Sequence, residues 1–263
     1  MSPMNNRLLV PRKTPGLLDL VPGAAAAYSL RSLSRSYADP VVTVRRSSDD
    51  DEAPFTAAEV SDGTLAAFCG AGDGFVKQWW DQSGNANHAS QTTPGYQPQI
   101  VSSGTVVVEG DRPSIDFNLG VSVALTASVN TDGFHLLFVG KNTKVGTNGC
   151  FFEAYGTARH LVFLDPDGDL SINTPSPNAI GKATGFSAIS LSFFDTSITA
   201  HVNAVRTADG ITAANAAAAN TSIIIGNDST LGNDFGKISE LIVYDTDKAD
   251  LLDLITGNQM WYY

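Results

Sequence analysis

Residues 186–205 read FSAISLSFFDTSITAHVNAV, two β-rich runs parted by turn-forming residues. The same grammar extends in both directions. Upstream, from Phe75, come FVKQWWD, YQPQIVS, TVVVEG, PSIDF, VALTAS, FHLLFVGK, CFFEAY, HLVFLD and LSIN, and downstream come TSIIIGN and KISELIVYD. Gly, Asn, Asp or Pro falls between nearly every pair, and no long amphipathic helix separates them. So many short strands without crossover helices imply antiparallel sheets packed face to face, an all-β jelly-roll sandwich. In the last run Ile238, Glu240, Ile242 and Tyr244 alternate with Ser239, Leu241, Val243 and Asp245. Both faces carry apolar residues, which predicts an inner strand covered on its outer side by another segment.

Helices are few. DKADLLDLITG at 247–257 places Leu251, Leu252 and Ile255 on one face and Gly257 as its stop. Thr56–Cys69 has helix-compatible spacing at Ala57, Val60, Leu65 and Phe68, interrupted by Asp62-Gly63, and is read as one short helix. Residues 1–23 carry Pro3, Pro11, Pro15 and Pro22, which exclude a regular helix or central strand. They read as an extended arm whose Leu17 and Leu18 must pack on the chain's own sandwich or on a neighbouring subunit. The remaining residues, 24–263, form one domain.

The formal net charge of −11 disfavours a nucleic-acid partner, since such binding depends on Lys and Arg neutralising phosphates. Basic residues gather early, at Arg7, Arg12, Lys13, Arg31, Arg35, Arg45 and Arg46, which suggests an arm that meets an acidic protein surface through Arg7, Arg12 and Lys13. No stretch reaches the roughly 18 apolar residues of a membrane span, and the first residues lack a signal-peptide pattern. Cys69 and Cys150 read as buried free thiols, with a bridge as the alternative.

Two stretches carry a family resemblance. AYSLRSLSRSYADPVVTVRRSSDDDEA at 27–53 with LAAFCGAGDGFVKQWWDQSGNANHASQ at 65–91 resembles the start of the catalytic module of fungal α-L-arabinofuranosidase B. The WWDQSGNANHA run also looks like a group of proteins encoded by tailed bacteriophages, with Trp80 in place of the usual Tyr and Ala86 in place of the usual Gly. IIIGNDSTLGNDFGKISELIVYDTDKADLLDLITG at 223–257 is similar to the last strands of concanavalin-A-like domains. The resemblance implies a concanavalin-A-like jelly roll.

Chemistry-bearing residues are sparse. Glu153 in GCFFEAYG sits where the arabinofuranosidase module has a Cys-Cys-Phe-Asp-Tyr-Gly segment, but the vicinal cysteine pair is absent here, and Glu153 is expected to face solvent or a subunit contact. Trp80, Asp81, Asn85 and Asn87 invite a sugar-binding reading through stacking and hydrogen bonds, although the same residue types build tight turns. Asp165-Pro166-Asp167-Gly168-Asp169 has alternate carboxylates like the start of a calcium loop, yet Leu170 and Ser176 stand where that loop needs Gly and Glu, and a hairpin turn explains it. His88, His135, His160 and His201 are scattered singly, so neither a metal nor a cofactor is expected.

The leading expectation is a non-enzymatic bacteriophage virion protein, a capsid decoration or a head or tail fibre component. Such a protein would reside in the virion, trimeric, anchored by residues 1–23 to capsid or tail proteins, and able to meet a host-surface glycan. The alternatives are a glycoside hydrolase of arabinofuranosidase type and a glycan-binding adhesin. An enzyme must show two convergent carboxylates, while a sugar-binding module needs an exposed aromatic platform.

Overall fold

The computed structural model describes residues 15–120, 123–130, 133–144, 148–156, 159–165, 167–173, 177–183, 185–194, 197–212, 220–229 and 235–263. Two antiparallel layers form a sandwich, as the strand pattern predicted. The back layer runs Ala26–Ser29, Lys237–Tyr244, Phe134–Lys141, Ser187–Phe194, Ser197–Val202 and Val205–Thr212, each paired with the next. The front layer runs Leu125–Ala127, Asn220–Ile225, Gly149–Gly156, Arg159–Leu164, Asp169–Asn173 and Pro177–Lys182. The N-terminal third closes one edge and joins the layers. Its Ala89–Ser90 strand pairs with Leu125–Ala127, and its Gln99–Ser102 strand reaches the back layer through Ile115–Asp116.

Period-two side-chain alternation sorts the faces. Leu136, Phe138, Leu191, Phe193, Leu241 and Val243 point inward from the back layer and meet Phe152, Ala154, Val162, Leu164, Ile223 and Ile225 of the front. Leu137, Ile242 and Tyr244 point the other way and are buried under a second apolar cluster with Leu17, Val21, Leu33 and Ile255. The Lys237–Tyr244 strand is therefore buried on both faces. Leu17–Leu20, read from sequence as part of an extended arm, instead forms one short helix that fits between Pro15 and Pro22 and packs on the chain's own sandwich, with Leu17 fully buried and Leu18 at the cluster's edge. Arg7, Arg12 and Lys13 lie outside the described residues.

Two further helical expectations need correction. The 56–69 segment is two helices, Ala57–Ser61 and Thr64–Cys69, because Gly63 takes a left-handed φ of 97° between them. The terminal helix begins as a 3-10 turn at Ala249–Leu251 and runs as α-helix over Leu252–Tyr262, straight through the expected stop at Gly257. A mid-helix glycine costs about 1 kcal/mol relative to alanine. Continuing buries Gln259 and lays Tyr262 and Tyr263 over Arg31, which offsets that cost.

The Asp165–Asp169 segment is a hairpin turn joining Arg159–Leu164 to Asp169–Asn173. The Asp165 carboxylate caps it by accepting from the Asp169 amide at 2.7 Å. No group of three or more His, Cys, Asp or Glu arranged for a metal occurs among the described residues. Cys69 and Cys150 are both buried and free.

Candidate functional site

The sugar-site candidates around Asp81 lie together in one turn, where they tie down the first strand. Asp81 Oδ1 accepts from the Ala27 and Ser83 amides at 2.8 Å each, and Oδ2 accepts from Ser83 Oγ at 2.7 Å and the Asn87 amide at 3.0 Å. Asn85 donates to the Ala24 and Ala25 carbonyls, Asn87 donates to that of Ala25, and Tyr28 Oη donates to the Asn87 carbonyl. Trp80 Nε1 donates to Thr43 Oγ1 at 2.9 Å, and its ring packs on His88 at 4.7 Å. Much of the hydrogen-bonding capacity of this turn is thus engaged within the fold.

A second constellation gathers on the outer face of the front layer. Glu153 lies on Gly149–Gly156 opposite Leu161 of one neighbouring strand and Ile224 of the other. Sequence placed Glu153 facing solvent or a subunit contact; instead it has no exposed surface at all, because its partners gather at the same sheet face. Such burial of a carboxylate requires partners. Arg159 Nε donates to Glu153 Oε1 at 2.6 Å and Arg159 Nη2 to Oε2 at 3.4 Å, while the Ser229 amide and hydroxyl donate at 2.7 and 2.9 Å.

The same Arg159 Nη2 stands 3.4 Å from Oδ1 of Asp228, whose side chain is also fully buried. Two buried carboxylates therefore converge on one guanidinium. The separation of the two facing oxygens cannot exceed those two 3.4 Å contacts laid end to end. Arg159, 29% exposed, and the exposed Ser229 form the solvent-facing edge of the group. Its hydrogen bond to Glu153 raises the Arg159 pKa above the usual arginine value, with Coulombic help from Glu153 and Asp228. Cys150 is part of the same neighbourhood: burial pushes its thiol pKa well up, and the nearby Asp228 and Glu153 push it further.

Local backbone explains how Asp228 arrives there. Gly226, at φ 86°, turns the chain out of Asn220–Ile225, and a Cβ at this position would drive into the Phe117 ring. Only glycine meets both demands. Asn227 follows, 1% exposed, its Oδ1 accepting from the Asp228 amide at 2.7 Å and its Nδ2 without a partner among the described residues. Sequence reasoning weighed Glu153 but missed Arg159, Asp228 and Ser229. The Gly-Asn-Asp turn after TSIII was a visible signal, though nothing in the linear pattern connects it to Glu153.

A family model described as the catalytic domain of α-L-arabinofuranosidase B matches residues 19–124. No curated protein matches the chain. Among solved structures, an arabinofuranosidase complexed with arabinofuranosyl-α-1,2-xylobiose is similar with a TM-score of 0.66 at 16% identity, over 89% of this chain and 62% of that one. A glutamate-to-glutamine mutant of a GH54 α-L-arabinofuranosidase soaked with 4-nitrophenyl α-L-arabinofuranoside gives 0.64 at 15%, over 89% and 62%. A Trypanosoma rangeli sialidase gives 0.50 at 13%, over 70% and 31%. The chain thus spans less than two thirds of the solved arabinofuranosidases it resembles. At these identities the likeness establishes the shared fold, and the family-model match ends before the Glu153 cluster begins.

These findings correct the expectation of a non-enzymatic virion protein, whether capsid decoration or fibre. The matched model and the solved arabinofuranosidases and sialidase above are of glycoside hydrolases, and none of these points to a capsid or tail component. The chain carries a segment matched by the arabinofuranosidase B catalytic model, on the sandwich fold that the GH54 enzymes share.

Proposed function

We propose that the protein is a glycoside hydrolase acting on α-L-arabinofuranosides, with Glu153 and Asp228 as its working carboxylates. The observation that carries this reading is the convergence of those two buried groups on Arg159. Hydrolysis of a glycosidic bond uses one carboxyl to protonate the leaving oxygen and a second carboxylate on the other side of the anomeric carbon. Glu153 accepts from Arg159 and twice from Ser229, the geometry of a group that serves as nucleophile or charge stabiliser rather than proton donor. That leaves proton delivery to Asp228.

Their closeness favours the shorter carboxyl separation, about 5–5.5 Å, that accompanies retention of configuration. Arg159 and Ser229 cover the pair on the solvent side, so a sugar reaches the carboxylates as the guanidinium moves aside. The test is release of nitrophenol from 4-nitrophenyl α-L-arabinofuranoside by the wild type, Glu153→Gln and Asp228→Asn. Turnover that both substitutions abolish supports the assignment. Absence of turnover on this and related arabinofuranosides, or full activity in either variant, overturns it.

A further inference from the structure

Far along the chain from the carboxylate cluster, the terminal helix presents a large exposed aromatic side chain. Trp261 is 70% exposed, whereas Trp79 is fully buried and Trp80 donates to Thr43. Isolated surface apolar residues need no explanation, but this one stands at the wall of a cavity of about 290 Å3. That volume lies near the lower end of small-molecule sites, roughly 300–1,000 Å3, and suits one small ring. Tyr262 and Asn258 of the same helix, Ala58 of the Ala57–Ser61 helix, and Ser32 and Arg31 complete the walls that matter here.

The polar groups around the cavity define what it takes. Asn258 Nδ2 donates to the Pro15 carbonyl at 3.3 Å, which fixes the amide orientation, since a flip would set two acceptors against each other. Asn258 Oδ1, which has no donor among the described residues, is shut away from the cavity, so the polar rim falls to Tyr262 and to Ser32, whose hydroxyl donates to the Ser34 carbonyl at 2.6 Å and can still accept. Arg31 offers no spare charge, because Nε and Nη2 are committed to Glu240 at 2.7 and 3.2 Å and its flat face lies 4.6 Å from the Tyr262 ring. An anionic ligand therefore gains nothing here. What remains is an apolar indole face beside uncharged hydrogen-bonding groups, the complement of a sugar ring with its C–H face and hydroxyl rim.

We propose that this cavity is a saccharide-binding site, separate from the Glu153–Asp228 cluster, that holds one neutral sugar residue of a polysaccharide against Trp261. Saccharide is chosen as the occupant on the strength of the proposed hydrolase function. The site would keep the protein on a polymer between cleavage events without touching the reacting bond.

Native gel electrophoresis in gels containing soluble arabinoxylan, arabinan or dextran tests this. Wild-type protein is expected to be retarded in at least one gel, with Trp261→Ala weakening the apparent affinity at least ten-fold. Ala58→Arg, which fills the cavity from the facing wall, should do the same. Glu153→Gln should be retarded like wild type, and Trp261→Ala should release nitrophenol from the aryl arabinofuranoside at the wild-type rate, so failure here is distinguishable from failure of the hydrolase reading. Lack of retardation in every gel, or equal retardation of Trp261→Ala, overturns the proposal. It is overturned equally by loss of retardation in Glu153→Gln, or by a changed molecular mass of Trp261→Ala in solution, which would make the helix face a contact between copies.

Discussion

The molecule contains two versions of the same ion pair. On the back layer Glu240 is gripped by Arg31, and on the front layer Glu153 is gripped by Arg159, in both cases through Nε and Nη2 to a glutamate with no exposed surface. They differ in what lies above. The terminal helix seals the back pair: Gln259 Nε2 donates to Glu240 Oε1 at 3.0 Å, Tyr263 Oη lies 3.4 Å from Oε2, and Arg31 is only 7% exposed. Among the described residues no helix packs over the front pair. Its arginine is 29% exposed, and a second buried carboxylate, Asp228, shares that arginine. Identical local chemistry is closed over by a helix in one place and edged by a partly exposed arginine beside a second acid in the other, and the proposed function assigns reaction only to the second. A glutamate's pairing alone does not reveal its role.

Four measurements can break or sharpen this contrast. The largest effect is expected on activity. Glu153→Gln or Asp228→Asn should lower turnover of an aryl arabinofuranoside by about 10²–10⁴-fold, the usual worth of a catalytic acid or base. Glu240→Gln should leave turnover near wild type. Reversal of that pattern would show that the contrast has been read the wrong way round.

Second, Glu240→Ala strands the Arg31 charge beneath the helix, so chemical denaturation should show a loss of about 3–5 kcal/mol, as for other broken buried pairs. A loss below about 1 kcal/mol would mean that water reaches Arg31 and the seal is illusory.

Third, Leu241→Ala, which opens a cavity between the layers, should cost about 2–5 kcal/mol. Asp167→Asn, at the exposed hairpin tip, should stay within about 0.5 kcal/mol. Melts with and without calcium check both. A calcium-dependent loss confined to Asp167→Asn would make that turn an ion site.

The smallest effect concerns pH on the back face. A hydrogen bond with His135, at 3.1 Å, holds the Asp247 carboxyl down to about 2, opposed by partial burial and assisted by Ser192. A depressed carboxylate contributes stability above its unfolded pKa of 3.8 and loses it as pH falls through about 2. Asp247→Asn should therefore lie slightly below wild type near neutrality, by less than about 1 kcal/mol for so exposed a group, and the gap should close between about pH 4 and 2. A gap independent of pH would mean the loss comes from packing rather than charge.

The sandwich was legible because each strand announces itself locally, through alternation and a turn residue at its end. The break at Asp62-Gly63 was visible for the same reason, though its consequence, two helices instead of one, was not. Gly257 misled, since a glycine stops a helix only when nothing beyond it is worth burying, and Gln259, Tyr262 and Tyr263 are. Trp80, Asp81, Asn85 and Asn87 are neighbours in the chain, but sequence could not reveal that their partners include Ala24, Ala25, Ala27 and Thr43.

Sequence by itself determined the antiparallel layers and the doubly buried Lys237–Tyr244 strand, because strand periodicity and turn chemistry act over a few neighbouring residues; Glu153 entered only through the family resemblance, and was expected at the surface or a subunit contact. Tertiary structure alone decided that Glu153 is buried, that Arg159 bridges it to Asp228 sixty-nine residues further on, and that Glu240 is sealed while Glu153 is not. Those outcomes depend on which strands become neighbours and which helix lies over them, and the free energy of a buried charge is settled by groups that meet only in the closed sandwich.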